Sequence, residues 1–318
     1  MASTYERILD YVSKSARQHG YIRFNQPIVN IESSPREDPS ARHRVTLTSA
    51  SGERAQFDGV VVTCPLGWLK QNKSAFSPEL PLRLTQAIDN ISYGRLEKIY
   101  VTFSQAFWHT TPTANANTNG AVSQTANYGQ PIFAQFFDPA YISHSEDIAW
   151  NQEVLSMAAL PPSCAHPTLL FYTSGPFSTY VVTKLATLAS PEEHHLFLDS
   201  ILHPFYSRLS GYSPDCKPLA FMATQWQNDP YAGNGSYSNF QVGLEHGDQD
   251  IEVMREGVGA ERGVWFAGEH TAPFVALGTT TGAFWSGERA AGQICDLYGL
   301  GKCGMGPPRD DSLPSGCK

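Results

Sequence analysis

The segment from Gly263 to Ala283 constrains the fold more than any other part of the chain, because a strand, a tight loop and a helix follow one another in it. Residues 264–267 form a short apolar run that ends at Gly268, as expected of a buried strand whose backbone must approach something closely. Apolar residues at about 3.6-residue spacing predict a helix from about Thr280. Gly282 and Gly287 would let that helix pack closely against a neighbour.

Glu269 follows the predicted strand directly. Its carboxylate, together with the free N–H groups at the start of the next helix, makes a possible site for a polar ligand with a partly negative group. Glu269 would accept hydrogen bonds from ligand hydroxyls. An ordinary strand-loop-helix joint with a solvated glutamate explains the same pattern, and the residues alone leave both interpretations open.

Composition narrows the class of protein. With 318 residues and 41% hydrophobic content, the chain is long enough for a large core and one or two domains. The net charge of −8 argues against a nucleic-acid surface and is compatible with a cationic small substrate. No apolar run approaches the roughly 18 residues of a membrane span, and residues 1–20 lack the apolar region of a signal peptide. We therefore expect no membrane association and a cytoplasmic location.

Metal and hydrolase chemistry have little support in the sequence. Six cysteines are scattered without a Cys-x-x-Cys pair, so we expect free thiols and neither a metal site nor a disulfide framework. His194 and His195 are adjacent and would point to different faces. No Gly-x-Ser-x-Gly elbow is present.

The rest of the chain alternates predicted strands and helices, with turn residues between them. We expect long irregular segments at 110–130 and in a disordered tail at 301–318. Predicted helices are 5–20 and 191–209, the latter with Ser190 as N-cap. Predicted strands are 21–24, 28–32, 44–48, 55–63, 96–103, 133–137, 168–173 and 219–227.

Two of the predicted strands carry specific expectations. Val60, Val61 and Val62 indicate a strand that is buried on both faces. The strand at 96–103 alternates, so Ile99 and its neighbours would face one side and Lys98 the other. Taken alone, Lys98 is an exposed lysine on a half-buried strand.

Three groups of motifs occur together and in order. They are Val61-Val62-Thr63-Cys64-Pro65-Leu66-Gly67 with Tyr93-Gly94-x-Leu96-x-Lys98, Trp226-x-x-Asp229-Pro230-Tyr231 with Gly235-Ser236-Tyr237-Ser238, and Gly268-Glu269-His270-Thr271 with Gly282-Ala283. Together they resemble the flavin-containing amine oxidase superfamily, especially its polyamine oxidase and flavin-dependent lysine demethylase branch. The resemblance runs from about Tyr21 to Tyr298.

The resemblance implies FAD as cofactor and assigns roles by position. Glu269 would bind the ribose or pyrophosphate region of FAD, and Ile28 would contact adenine. The helix start at Thr279 and Thr280 would supply a backbone N–H toward the flavin, where the helix dipole favours negative charge. Lys98 matches the lysine that holds a water near the flavin, which moves it from the surface to the active site. Trp226, Tyr231 and Tyr237 would form the aromatic surroundings of flavin and substrate, where Tyr231 and Tyr237 suit an amine through cation–π attraction.

The implied reaction is oxidation of an amine C–N bond in a small-molecule amine or polyamine, followed by hydrolysis of the imine, with O2 as the oxidant and H2O2 as a product. A histone demethylase ranks lower, because the chain has no helical hairpin insertion for a partner and no basic surface run.

The chain departs from the family at its beginning, because the strand, Gly-x-Gly-x-x-Gly turn and helix that seat the FAD pyrophosphate are not present. We therefore expect a C-terminal portion with a missing N-terminal half. A truncated, non-catalytic remnant that does not hold FAD by itself is the alternative function. By the same resemblance, the segment 232–235 is one residue longer than the family pattern, and Ala276-Leu277 stands where relatives have a Tyr-Pro-like pair.

The expected fold is mixed α/β. A partial, Rossmann-like FAD-binding part, at residues 1–70 and 259–300, would be interleaved with a substrate domain of antiparallel sheet and helices at residues 71–258.

Overall fold

The computed structural model describes residues 5–35, 44–109, 133–136 and 152–301. These residues form a mixed α/β fold, as predicted. The helices are α1 Tyr5–His19, α2 Leu66–Gln71, α3 Leu82–Asn90, α4 Gly175–Ala186, α5 Pro191–Tyr206, α6 Gly247–Glu256 and α7 Thr280–Tyr298. The strands are β1 Ile28–Ser33, β2 Val45–Ser49, β3 Arg54–Phe57, β4 Val60–Val62, β5 Phe76–Ser77, β6 Ser92–Tyr93, β7 Leu96–Thr102, β8 Phe133–Phe136, β9 Gln152–Ser156, β10 Thr168–Ser174, β11 Ala220–Ala223, β12 Ser238–Asn239 and β13 Val264–Phe266.

The chain divides into two compact units by its internal contacts. Unit 1 comprises Met1–Ile22 and Arg95–Asp229, and unit 2 comprises Arg23–Gly94 and Pro230–Lys318. This division groups residues 71–94 with residues 23–70, and residues 230–258 with residues 259–318, whereas the predicted substrate domain at 71–258 included both segments. The functional assignment of the two predicted domains stays a prediction.

Unit 1 is built on an antiparallel sheet with strand order β11-β7-β10-β9-β8. Burial alternates along β7, so that Ile99 and Val101 are buried while Lys98 and Tyr100 are half-exposed, as predicted. The buried face packs against α4 and α5 in one hydrophobic cluster. Helix α5 begins with a capping box, in which Ser190 and Glu193 satisfy each other's backbone N–H groups.

Unit 2 contains a four-stranded sheet of order β3-β2-β1-β5 and a parallel pair formed by β13 and β4. Val264 pairs with Val60 and Phe266 with Val62. Both strands of the pair pack, with α3 and α6, into the core of this unit. The strand-loop-helix joint predicted from Gly263 to Ala283 is therefore confirmed, with the strand at Val264–Phe266 and the helix from Thr280.

Several local predictions are wrong. Residues 21–24 form no strand, and the predicted strand at 55–63 is two shorter strands, β3 and β4. Val61 is 36% exposed, so β4 is not buried on both faces. Strand β11 ends at Ala223, and a 3-10 turn at Trp226–Asn228 follows where the strand was expected to continue.

The cysteine prediction holds only in part. Cys64, Cys164 and Cys216 are free thiols, whereas Cys295, near the end of α7, is disulfide-bonded. The spacing of cysteines in the sequence does not reveal a single disulfide, because the two cysteines that form it need not belong to a recognisable motif. The described residues include no group of three or more His, Cys, Asp or Glu side chains arranged to hold a metal ion.

In the part of the chain that the structure describes, no helix is both long and apolar enough to cross a membrane.

The irregular segment predicted at 110–130 lies outside the described residues, as does the predicted tail beyond Gly301.

Candidate functional site

The start of α7 in unit 2 presents unpaired backbone donors. Thr279 is the N-cap, and its Oγ1 accepts from the N–H of Gly282 at 2.9 Å. The N–H groups of Thr280 and Thr281 receive no partner from the described residues, and both residues are exposed. Because the first N–H groups of a helix lack intrahelical acceptors and carry the positive end of its dipole, this helix start suits a ligand with a partly negative edge.

Glu269 holds the loop beside that helix start. Its Oε1 accepts from the backbone N–H of Ser238 at 3.0 Å and from the Ser238 hydroxyl at 2.8 Å, and its Oε2 accepts from the N–H of Gly278 at 2.9 Å. Burial raises the pKa of this carboxyl, and the hydrogen bonds from Ser238 and Gly278 oppose that rise. Three of its roughly four acceptor positions are therefore already used by the protein. Direct contact between Glu269 and FAD stays a prediction.

The segment that carries Tyr231 and Tyr237 packs against the first turn of α2. A Cβ on Gly67 would lie 2.0 Å from the carbonyl oxygen of Gly233, so only glycine permits this approach. The Tyr93 hydroxyl donates to the carbonyl of Ala232 at 2.7 Å. Two of the three groups of motifs are therefore in direct contact, because Gly67 of the first group packs against Gly233 in the loop of the second.

Tyr237 lies next to the helix start. A Cβ on Gly278 would be 2.9 Å from the Tyr237 ring, and Gly278 has a φ of +71°, which favours glycine. Tyr237 is 37% exposed and Tyr231 is 74% exposed, so both rings can meet a ligand. Burial, and next the charge of Glu269, raises the pKa of nearby Tyr93 to about 12. Glu269, Thr279, Thr280 and Tyr237 are therefore brought together.

Ile28 lies at the start of β1, half-buried against the core of unit 2. Its predicted contact with adenine is neither supported nor opposed by this packing, and it stays a prediction.

Sequence reasoning missed two residues that support the strand-helix joint. The guanidinium of Arg289, on α7, donates to the carbonyl of Phe266 at the end of β13, to that of Arg255 at the end of α6, and to Thr271 Oγ1. His270 is buried below Gly268, and a Cβ on that glycine would lie 2.6 Å from the imidazole. An arginine on a predicted helix of mostly small and apolar residues was the available signal for the first of these.

Burial, and next the charge of Arg289, lowers the pKa of His270 to about 4. The imidazole is therefore neutral near pH 7. Its Nε2 has no hydrogen-bond partner among the described residues. Gly268 has a φ of +143°, and its N–H donates to Ser286 Oγ at 2.8 Å. The turn after β13 is thus fixed by its glycine, by α7 and by a buried neutral histidine.

Lys98 lies on the half-exposed face of β7 in unit 1. Its Nζ is 5.7 Å from the centroid of the Tyr172 ring, within reach of a cation–π attraction. It makes no ion pair with any described residue. Its ammonium donors therefore remain available to water or a ligand.

Glu97, which the sequence did not single out, connects Lys98 to Trp226. Its side chain is 1% exposed and accepts from the Thr224 hydroxyl at 2.6 Å and from the N–H groups of Trp226 and Gln227, each at 3.1 Å. Thr224 also accepts from the N–H of Lys98 at 2.9 Å. The 3-10 turn that presents the 44% exposed Trp226 is therefore anchored to the strand of Lys98.

Residues 3–295 match the family described as flavin containing amine oxidoreductase. This chain belongs to that family. The resemblance deduced from the motifs is thereby confirmed, and so is FAD as the cofactor, since the family is flavin-containing.

Relatives in two branches of the family are similar to this chain over most of the chain's length. The peroxisomal N(1)-acetyl-spermine/spermidine oxidase of Homo sapiens is 27% identical over 82% of this chain and 47% of its own length. The lysine-specific histone demethylase 1 homolog 2 of Arabidopsis thaliana is 31% identical over 75% of this chain and 27% of its own length. The chain thus spans about half, or less, of these curated relatives.

The described residues fit one end of FAD, which is its flavin ring. The unpaired N–H groups of Thr280 and Thr281 suit the polar edge of a flavin ring, and Tyr237 lies beside them. No strand among the described residues leads into a Gly-x-Gly-x-x-Gly turn and a helix. The one match to that spacing, residues 299–304, instead follows α7, where Gly299 adopts the left-handed conformation of a helix C-terminus.

Proposed function

We propose that this chain is an FAD-dependent amine oxidase that acts on the C–N bond of a small-molecule amine. The observation that carries the proposal is the open start of α7, where two unpaired backbone N–H groups lie beside Tyr237 in a chain of a flavin-containing family. When bound, FAD supplies the two-electron oxidation of the C–N bond.

The residues of unit 2 would bind the flavin and orient the amine. Thr280 and Thr281 donate to the polar edge of the flavin, and the helix dipole contributes about 0.3–1 kcal/mol toward negative charge there. Glu269 keeps Gly278 and Ser238 in place by its three hydrogen bonds, which fixes the approach to the helix. Tyr231 and Tyr237 present aromatic faces to an amine.

The residues of unit 1 would hold a water molecule and contact the reacting amine. The Lys98 ammonium has donors to spare and would hold a water molecule. Glu97 keeps Trp226 at a fixed place relative to the Lys98 strand, because it accepts from the backbone of the turn. An exposed, anchored indole is a suitable wall for an amine or a ring.

The first test is cofactor binding by the full chain. Purified protein should take up FAD with visible flavin absorbance, and adding amines should bleach that absorbance and release H2O2. Protein that stays colourless after incubation with FAD would instead support the non-catalytic remnant.

Thr279→Val tests the helix start. Loss of the hydroxyl removes the cap on Gly282, so we expect about 0.5–2 kcal/mol lower stability and weaker FAD uptake. Thr281→Val, at an exposed position two residues further along, removes a hydroxyl but keeps the backbone N–H, so it is the matched control and should keep normal uptake. Equal FAD affinity in both variants would remove the capped helix start from the site.

Lys98→Met tests the lysine. Flavin absorbance should be retained while turnover slows at least tenfold, since the substitution keeps an unbranched side chain one atom shorter and removes the ammonium donors. Lys184→Met, on the exposed surface of α4, is the control. Unchanged turnover would exclude Lys98 from the reaction.

A further inference from the structure

Helix α1 carries an apolar face that the described residues do not cover. None of its 15 residues is buried, although large apolar side chains recur along it at helical spacing. The members of this apolar face of α1 are between 42% and 63% exposed: Tyr5, Ile8, Leu9 and Val12. Tyr21 and Ile22 add exposed apolar surface directly after the helix. Because a helix of this length is only marginally stable in water by itself, packing of its apolar face against a partner would stabilise it.

The area of this surface matches what a second copy of the chain needs. Side chains of this size have roughly 150–200 Å² of surface, so the six leave on the order of 600 Å² open to solvent per chain. Two copies that cover each other's apolar face would together bury about 1,200 Å², which is the lower limit for a specific, stable protein interface. The apolar face of α1 is therefore large enough for a dimer of modest affinity.

Charges on one flank of the apolar face favour an antiparallel partner helix. Glu6 lies in the first turn of α1 and Arg17 in the last turn. They are about three whole turns apart, so they lie on the same flank. On that flank Arg17 also donates to Asp10 at 3.0 Å, whereas Glu6 has no ion pair with any described residue. A parallel copy would bring like charges together, whereas an antiparallel copy brings opposite charges together.

The geometry of full overlap puts these charges level with each other. The middle residue of α1 is Val12, which would lie at the two-fold axis of two antiparallel helices. At about 1.5 Å per residue, Glu6 lies about 9 Å from that axis along the helix, and Arg17 lies about 7.5 Å from it in the other direction. Glu6 of one copy would therefore face Arg17 of the other at both ends. Arg7 and Lys14 fall on the side of the helix opposite the apolar face and would stay in water.

We propose that the apolar face of α1 docks onto the same face of a second copy of this chain, as an antiparallel pair with two-fold symmetry. Such an interface uses the same surface of both copies and is closed, so it gives a dimer and no longer assembly. The apolar side chains supply the affinity. The two exposed ion pairs contribute little to affinity, but they set the direction of the partner helix.

Sedimentation of the full chain tests the proposal, and it needs no flavin, so its outcome is independent of the proposed function. Unaltered protein should form a dimer with a dissociation constant in the micromolar range. Leu9→Asp should raise that constant at least about tenfold, because it places a charge in the apolar face. Leu196→Asp, at an exposed position on α5, is the matched control and should leave the constant unchanged. Both leucines are more than 60% exposed, so both variants should keep the melting temperature of the unaltered monomer.

Charge reversal tests the direction of the helices. Glu6→Arg and Arg17→Glu should each weaken the dimer, and the double variant should recover it, since opposite charges then face each other again. Singles that weaken the dimer without recovery in the double variant would refute the antiparallel arrangement. Unaltered protein that is monomeric at about 100 µM, or a dimer that Leu9→Asp leaves intact, would overturn the proposal. A monomer that binds vesicles of phosphatidylcholine and phosphatidylserine would also overturn it and would assign the apolar face to lipid.

Discussion

Replacing Glu97 by glutamine should destabilise unit 1 strongly, although the two side chains have almost the same shape. One carboxylate oxygen of Glu97 accepts from the Thr224 hydroxyl and the Trp226 N–H, and the other accepts from the backbone and side chain of Gln227. Glutamine turns one of these oxygens into an NH2 group. An NH2 group on the Gln227 side faces two N–H donors, so two hydrogen bonds are lost there. On the Thr224 side it can donate to the hydroxyl oxygen, but the Trp226 N–H then loses its acceptor in a site that is 1% exposed.

The magnitude follows from opposing contributions. A hydrogen bond to a charged group contributes about 1.5–3 kcal/mol, so the loss of one or two of these bonds costs about 1.5–6 kcal/mol. Removing a buried charge that has no cationic partner among the described residues returns part of its desolvation energy, of the order of 1–2 kcal/mol. The expected net loss is about 1–4 kcal/mol.

Urea unfolding with an unchanged m-value measures this loss, and hydrogen exchange locates it. The amides of Trp226 and Gln227 donate directly to Glu97, so they should exchange faster in the variant while amides in unit 2 keep their rates. Glu153→Gln removes the same charge from the opposite face of the same sheet and should change stability by less than about 0.5 kcal/mol. Equal effects of the two substitutions would refute the role of the hydrogen bonds.

Two further predictions concern unit 2. Gly282→Ala should lower the free energy of unfolding by more than about 2 kcal/mol, because the new Cβ would lie 2.1 Å from the carbonyl oxygen of Ala276. Gly287→Ala should raise it by about 0.5–1 kcal/mol, because a Cβ there would have no atom within 4 Å and alanine favours the helix. Thermal unfolding of the two variants measures the difference. Burial lowers the pKa of His270 from 6.5 to about 4, so between these values the unfolded chain binds a proton that the folded chain does not. Stability should therefore fall by up to about 3 kcal/mol as the pH drops from 6.5 to 4, and unfolding curves of His270→Gln should lack that slope.

The sequence predicted those parts of unit 2 that depend on neighbouring residues. The period of apolar residues placed β13 and the start of α7 correctly, because a short apolar run that ends at glycine and a helix that begins at threonine are local patterns. The spacing of glycines gave less. It predicted close packing for Gly282 and Gly287 alike, yet only the first lies against another backbone.

Glu97 escaped prediction because its partners are 127 to 130 residues away along the chain. On an alternating strand its position indicates only an inward side chain, and an inward glutamate has no meaning until the donors around it are known. Strand alternation places its neighbour Lys98 on the opposite face, and the family resemblance alone assigns Lys98 a role. A carboxylate that anchors the turn at Trp226 is thus a product of the tertiary fold rather than of a local motif.

Glu269 shows how a correct position can lead to an incomplete role. From sequence, a carboxylate between a strand and a helix start predicts an acceptor for ligand hydroxyls. In the structure its oxygens accept from Ser238 and Gly278, so the first consequence of its charge is to hold two loops together. These bonds fix Gly278, against which Tyr237 lies, and Gly278 leads directly into the capped helix start at Thr279. Because a ligand at that helix start would need Thr280 and Thr281 in place before it binds, we expect Glu269 to contribute to ligand binding through their position, whether or not one of its own oxygens touches the ligand.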